Sequence, residues 1–137
     1  MSQPRRLYGA LLSLLLLAVG LFVGPSPATA SPRPARATCD PFLSDIFHSS
    51  RVRIKFQGQV TCNFTADLIS IEIRIVPLSG SPTVKSRFVN NNNIAFLSTT
   101  RRCTPGTYAG TLAADAYRGG SVVASVRKST QWFDITC

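Results

Sequence analysis

Along most of the chain, apolar and polar positions alternate with a period of two, the mark of a half-buried β-strand. Arg51, Arg53 and Lys55 alternate with Val52, Ile54 and Phe56, giving one strand face that is basic and one that is apolar. Gly58 interrupts the run, and Val60, Cys62 and Phe64 then resume it. The segment Leu68 to Val76 has the strongest pattern. Ile69, Ile71, Ile73 and Ile75 share one face, with Ser70, Glu72 and Arg74 on the other. Four β-branched residues on one face suit a packed, pleated surface and disfavour a helix. Further strands are predicted over Val84 to Val89, Ile94 to Ser98, Thr107 to Tyr117 (Tyr108, Leu112, Ala114 and Ala116 on one face), Val122 to Val126 and Phe133 to Cys137.

Between these runs lie turn residues. Ser79-Gly80-Ser81 and Pro105-Gly106 read as turns, and Arg118-Gly119-Gly120-Ser121 as a hairpin turn. Asn90 to Asn93 is expected to be a loop, because asparagine tolerates left-handed backbone and bonds its own main chain. Pro41 to Phe47 is expected to form a short helical turn, with Phe42, Ile46 and Phe47 against the domain. Seven or eight short strands with turns between them predict an all-β fold, an antiparallel β-sandwich of immunoglobulin-like type or a small barrel.

The N-terminus breaks the alternation. Arg5 and Arg6 precede an apolar stretch from Leu7 to Val23, then Gly24, Pro25 and Pro27, then Ala28-Thr29-Ala30. A basic start, an apolar core and a small-x-small site make a secretory signal. The helix breakers and the Ala-x-Ala site favour cleavage after Ala30 over a membrane anchor. Residues 1–30 are therefore read as a cleaved signal peptide, 31–38 as a flexible arm (Pro32, Arg33, Pro34, Arg36), and 39–137 as the β domain of a secreted, extracellular protein with no stable membrane span.

Export changes how the cysteines are read. Cys39, Cys62, Cys103 and Cys137 all follow the cleavage site, and an even number in an exported chain implies disulfides. Pairing the residues nearer in sequence gives Cys39–Cys62 with Cys103–Cys137; the rival is Cys62–Cys103 with Cys39–Cys137. A metal site is not expected, since there is no Cys-x-x-Cys and His48 is the only histidine. The charge is also affected. The chain carries 15 Lys and Arg against 6 Asp and Glu; loss of Arg5 and Arg6 leaves thirteen cations and six acids, so the mature charge is +7. Such a surface favours polyanions.

Three motifs give a resemblance over a little more than half of the precursor, from about Val60 onward. They are Val60-Thr-Cys62, Cys103-Thr-Pro-Gly106-Thr-Tyr108-Ala-Gly110 and the final Ile135-Thr-Cys137. In these the chain resembles an uncharacterised family of small secreted, disulfide-bonded actinobacterial proteins. The resemblance implies an exported disulfide-bonded β domain and carries over no functional residues. Pro-Gly-Thr-Tyr also resembles the start of a late strand in immunoglobulin-like domains, where a tyrosine packs against a turn.

Catalytic chemistry finds little to work with. Nucleophilic catalysis needs a nucleophile, a base and an orienting group. His48, with Asp45 three residues before it and Ser44, Ser49 and Ser50 nearby, is the one arrangement to consider, and a polar loop explains it better. No Gly-x-Ser-x-Gly elbow, phosphate loop or calcium loop is present. The six acids do not suggest a glycosidase pair, and Asn63-Phe64-Thr65 is a glycosylation triplet that arises easily by chance. The expectation is a non-enzyme without cofactor. Its function would be to bind an anionic extracellular partner (cell-wall polymer, polysaccharide or protein) through Arg51, Arg53 and Lys55, with Arg101, Arg102, Arg127 and Lys128 as possible additions. The same stripe suits slightly better the protection of an edge strand against sheet-to-sheet aggregation. Nucleic acid is disfavoured because the arginines are not interleaved with exposed aromatics along the chain. The alternative function is a secreted inhibitor or toxin-like effector acting through Asn90 to Asn93 or Arg118 to Ser121.

Overall fold

The isoleucine run is the second half of one very long strand. In the computed structural model, which describes residues 35–137, the elements are β1 Cys39–Leu43, β2 Phe47–Ser50, β3 Arg53–Pro77, β4 Thr83–Arg102, β5 Gly106–Arg118, β6 Ser121–Ser129 and β7 Phe133–Ile135. The signal-peptide reading and the first residues of the arm, 31–34, lie outside the described residues. All seven strands join one antiparallel sheet curled into a half-barrel, so the all-β antiparallel class is the one observed. The two disulfides are Cys39–Cys62 and Cys103–Cys137; they indicate an oxidising environment.

Strand β3 is the spine. One of its edges pairs with β4 almost throughout. Its other edge pairs with β2 at residues 53–55, with β1 at 58–62 and with β5 at 68–77. Ser44 fills the gap between β2 and β1: its N–H donates to the Gln57 carbonyl and its hydroxyl accepts from the Gln57 N–H, each at 3.0 Å. Beyond β5 lie β6 and β7, and β1 packs against β6 to draw the curl together. Strand β4 is hydrogen-bonded on one side only, which makes it a free edge.

The curl is made by a bend in β3 and β4. Thr61 pairs with Ile94 and Ala66 with Asn92, so residues 62–65 of β3 face residue 93 alone. A bulge of this kind bends its strand and increases the local twist. The asparagine run lies here, inside β4, and so the loop expected at Asn90 to Asn93 is absent. The properties of asparagine are nevertheless in use. Asn91 has φ 47°, and the Asn92 side-chain oxygen accepts the N–H groups of Asn93 and Ile94 at 2.8 and 3.1 Å. The helical turn expected over Pro41 to Phe47 is likewise absent. Those residues belong to β1, β2 and the link between them, because β3 offers an open edge and Cys39 lies opposite Cys62 in register. Pro41, which lacks an N–H, is tolerated on such an outer strand.

The bend folds the sheet into two layers. The first holds β1, β2, residues 53–61 of β3 and 94–102 of β4. The second holds 66–77 of β3, 83–92 of β4, β5 and β6. Ile54, Phe56 and Val60 point inward from the first layer and Ile69, Ile71, Ile73, Ile75 and Leu112 from the second; all are buried. Two glycines let the layers touch. A Cβ on Gly110 would enter the Phe56 ring, and one on Gly58 would come within 2.7 Å of Leu112. Gly58 therefore does not interrupt the strand; its bare backbone makes room for the opposite layer. Tyr108 is buried, and its hydroxyl donates to the Thr104 carbonyl at 2.8 Å, four residues upstream, as a tyrosine packed on a turn should. Trp132 is 52% exposed and takes no part in the core.

Candidate binding face

The outer surface of the first layer follows from strict alternation. With Ile54, Phe56, Gly58 and Val60 buried, Arg53, Lys55, Gln57, Gln59 and Thr61 must point outward. Residues directly opposite across an antiparallel pair share a face. The register therefore gives successive rows: Arg53 beside Arg102; Lys55 between Phe47 and Thr100; Gln57 beside Ser98; Gln59 between Phe42 and Phe96; and Thr61 between Asp40 and Ile94. Gln59 donates to the Thr61 hydroxyl at 3.2 Å, and an Arg53 guanidinium nitrogen lies 3.4 Å from the Thr100 hydroxyl.

The predicted stripe is thus assembled only in part. Arg53 and Lys55 stand on one face, as alternation required. Arg51 does not join them, because it lies in the turn between β2 and β3, where the alternation has not yet begun. Arg102 takes its place, directly opposite Arg53. The sequence placed Arg102 only among possible additions, since nothing in a single strand's period reveals which distant residue will be its neighbour. Among the described residues the ion pairs are Arg74–Glu72 at 2.6 Å and Arg127–Asp115 at 3.0 Å, so no acid pairs with Arg51, Arg53, Lys55 or Arg102. Asp40 shares the face but sits beside Thr61, six residues along β3 from Lys55, about 20 Å away by strand rise.

The other basic residues are occupied differently. Arg101 donates to the Ser81 carbonyl at 2.6 Å and lies 5.9 Å from the Tyr108 ring centre. Arg118 stacks 4.7 Å over Phe64 and donates to the Thr65 carbonyl, while the Gly119 N–H donates to Asp67 at 2.6 Å. These contacts fasten the Arg118–Ser121 turn back onto the bulge. Lys85 and Arg87 lie on the free edge strand, where charge discourages sheet-to-sheet pairing. One Arg127 guanidinium nitrogen donates to both Asp115 carboxylate oxygens at 3.0 Å, and the other donates to the Ala114 and Val126 carbonyls. That hydrogen bonding holds the Asp115 carboxyl below its ordinary value, against the opposing effect of burial and with a lesser contribution from Ser125; the same bond raises the Arg127 pKa. Arg127 and Lys128, with Glu72, Arg74, Val76, Thr111, Leu112, Ala113 and Ser129, line a shallow depression on the second layer.

His48 lies in extended β2 with its Nδ1 3.9 Å from the Cys103 sulfur, and no hydrogen bond joins it to Asp45. No group of three or more His, Cys, Asp or Glu side chains among the described residues is placed to hold a metal ion. No helix there is long and apolar enough to cross a membrane.

No family model matches the chain, and no curated protein does. Among solved structures, the chain is similar to a β-glucosidase from Kluyveromyces marxianus, with a TM-score of 0.34 and 7% identity. The alignment covers 72% of this chain and 15% of the enzyme. At that level neither fold nor activity transfers.

Proposed function

We propose that the chain is a secreted, non-catalytic module that binds an anionic extracellular or cell-wall polymer through the outer face of its first layer. One observation carries this reading: Arg53, Lys55 and Arg102 converge on that face without an acidic partner. Like charges placed directly opposite each other destabilise a sheet. A polyanion laid across them removes that repulsion and gains from each contact. Edge protection does not suit Arg53 and Lys55, because β3 is hydrogen-bonded on both sides there; of the three cations only Arg102 lies on the free edge strand β4. The loop-acting inhibitor is less well supported, since one of its two loops lies inside β4 and the other is fastened to the bulge.

The test is a combined Arg53→Gln, Lys55→Gln and Arg102→Gln variant, measured against immobilised polyphosphate and polygalacturonate at several salt concentrations. The parent domain should bind, with affinity falling steeply as salt rises, and the variant should lose at least about tenfold in affinity while keeping its fold, which is the loss of roughly 1.4 kcal/mol. Equal binding by parent and variant would reject the face.

A further inference from the structure

We infer that the polymer this face takes is a single-stranded nucleic acid. This inference rests on the polyanion reading above and names its partner. Along the chain, aromatics and cations are not interleaved; across the strands they are. Phe47 stands beside Lys55, and Phe42 and Phe96 stand on either side of Gln59, on the face that carries Arg53 and Arg102. Phe42 is 64% exposed, Phe96 44% and Phe47 39%.

Three phenylalanines on a charged face narrow the chemistry. Phenylalanine offers a flat apolar ring and no hydrogen-bonding group. A bare polyphosphate can satisfy the cations but gives the rings nothing to cover them. Single-stranded nucleic acid brings both complements in every repeat: a phosphate for the cations and a base whose face stacks on an aromatic ring irrespective of its identity. Single-stranded recognition on open sheet faces commonly uses such aromatic platforms. Between the rings and the cations lie Gln57, Gln59 and Ser98, short polar groups able to bond base edges or sugar hydroxyls. A duplex fits poorly, because its bases are stacked internally and its major groove admits a helix or a projecting ribbon, whereas this surface is the broad side of a sheet.

The dimensions require an oligomer. The Gln59 row, with Phe42 and Phe96, is four residues along β3 from Lys55 and six from Arg53, about 14 and 20 Å by strand rise. No mononucleotide spans that distance. Affinity should therefore rise with length until one strand reaches both ends of the face.

The experiment uses the oxidised mature domain and fluorescently tagged oligodeoxythymidines of increasing length, read by anisotropy. Polyphosphate and polygalacturonate serve as competitors. Phe42→Ala, Phe47→Ala and Phe96→Ala are made singly and together; all three side chains are exposed, so circular dichroism should show an unchanged fold. We expect binding that strengthens with oligomer length, is salt-sensitive, and weakens about tenfold for each ring removed, with polyphosphate binding unaltered by the same changes. Competition by polyphosphate or polygalacturonate as strong as that by unlabelled oligonucleotide overturns the inference, and so does full affinity in the triple phenylalanine variant. In both of those outcomes the polyanion reading survives if the Arg53, Lys55 and Arg102 variant still loses its ligand. If that variant binds every polyanion as the parent does, the polyanion reading itself fails.

Discussion

The outer faces of the two layers share strands β3 and β4 and treat charge differently. On the second layer, Arg74 is matched with Glu72 and Arg127 with Asp115, while Lys128 beside them has no ion pair. On the first, Arg53, Lys55 and Arg102 share the surface with one remote acid, Asp40. Exposed aromatics stand on both faces: Phe42, Phe47 and Phe96 beside the unpaired cations, and Phe88 opposite Ser70 on the second layer. The difference separates a face whose two arginines each hold an acid from one whose cations have none beside them.

The comparison holds only while the layers are held together, and the largest expected effect lies at their contact. Phe56 comes from the first layer and packs over Gly110 of the second. Phe56→Ala should destabilise the domain by about 3–5 kcal/mol, through lost burial and the cavity left behind. Urea unfolding of the oxidised protein measures this. A cost below about 1 kcal/mol would mean that the layers are joined elsewhere.

That contact also shows what a sequence can and cannot disclose. Alternation identified the buried side of β3 and β5, because a pleated strand with one wet face leaves that record in every second residue; it failed at Val84 to Val89, where Val84 and Phe88 are exposed. Ile69, Ile71, Ile73, Ile75, Leu112, Ala114 and Ala116 are all inward as their spacing requires. The disulfides follow the preferred nearer-neighbour pairing. Alternation is blind to continuity. It divided β3 at Gly58 and β4 at Asn90 to Asn93, where backbone pairing in fact continues through a tight contact and a bend. It is equally blind to what stands across the sheet. The candidate face depends on Phe47 meeting Lys55 and Arg102 meeting Arg53, over separations of 8 and 49 residues, which register alone determines.

A smaller change would make the balanced face resemble the other one. Asp115→Asn leaves the Arg127 guanidinium without its carboxylate. The pair is partly exposed, so the expected loss at neutral pH is about 0.5–1 kcal/mol. Arg127 holds the Asp115 pKa below its unfolded value. The stabilisation is therefore fully present above the ordinary carboxylate pKa and disappears as the pH falls through the lowered one. Thermal melts of parent and variant should differ at pH 7 and converge in acid. A difference that persists unchanged below the folded-state pKa would show that Asp115 acts through packing. The newly unpaired Arg127 should also give the second layer weak, salt-sensitive affinity for polyanions.

The smallest expected change is a gain in stability, and it bears most directly on why the first face is unbalanced. Arg53 and Arg102 are direct cross-strand partners. Facing like charges oppose sheet formation by roughly 0.2–1 kcal/mol, reduced here because both side chains reach into water. Arg102→Gln removes the repulsion, keeps a long polar side chain and deletes one ligand contact. If the unbalanced charge is retained for binding, this variant should be slightly more stable than the parent, bind polyanion more weakly, and show a shallower dependence of affinity on salt, since it neutralises one phosphate fewer. Opposite movement of stability and affinity is the expected pattern at a functional surface. Parallel loss of both would show instead that Arg102 supports the fold, and the contrast between the two faces would then have a structural cause.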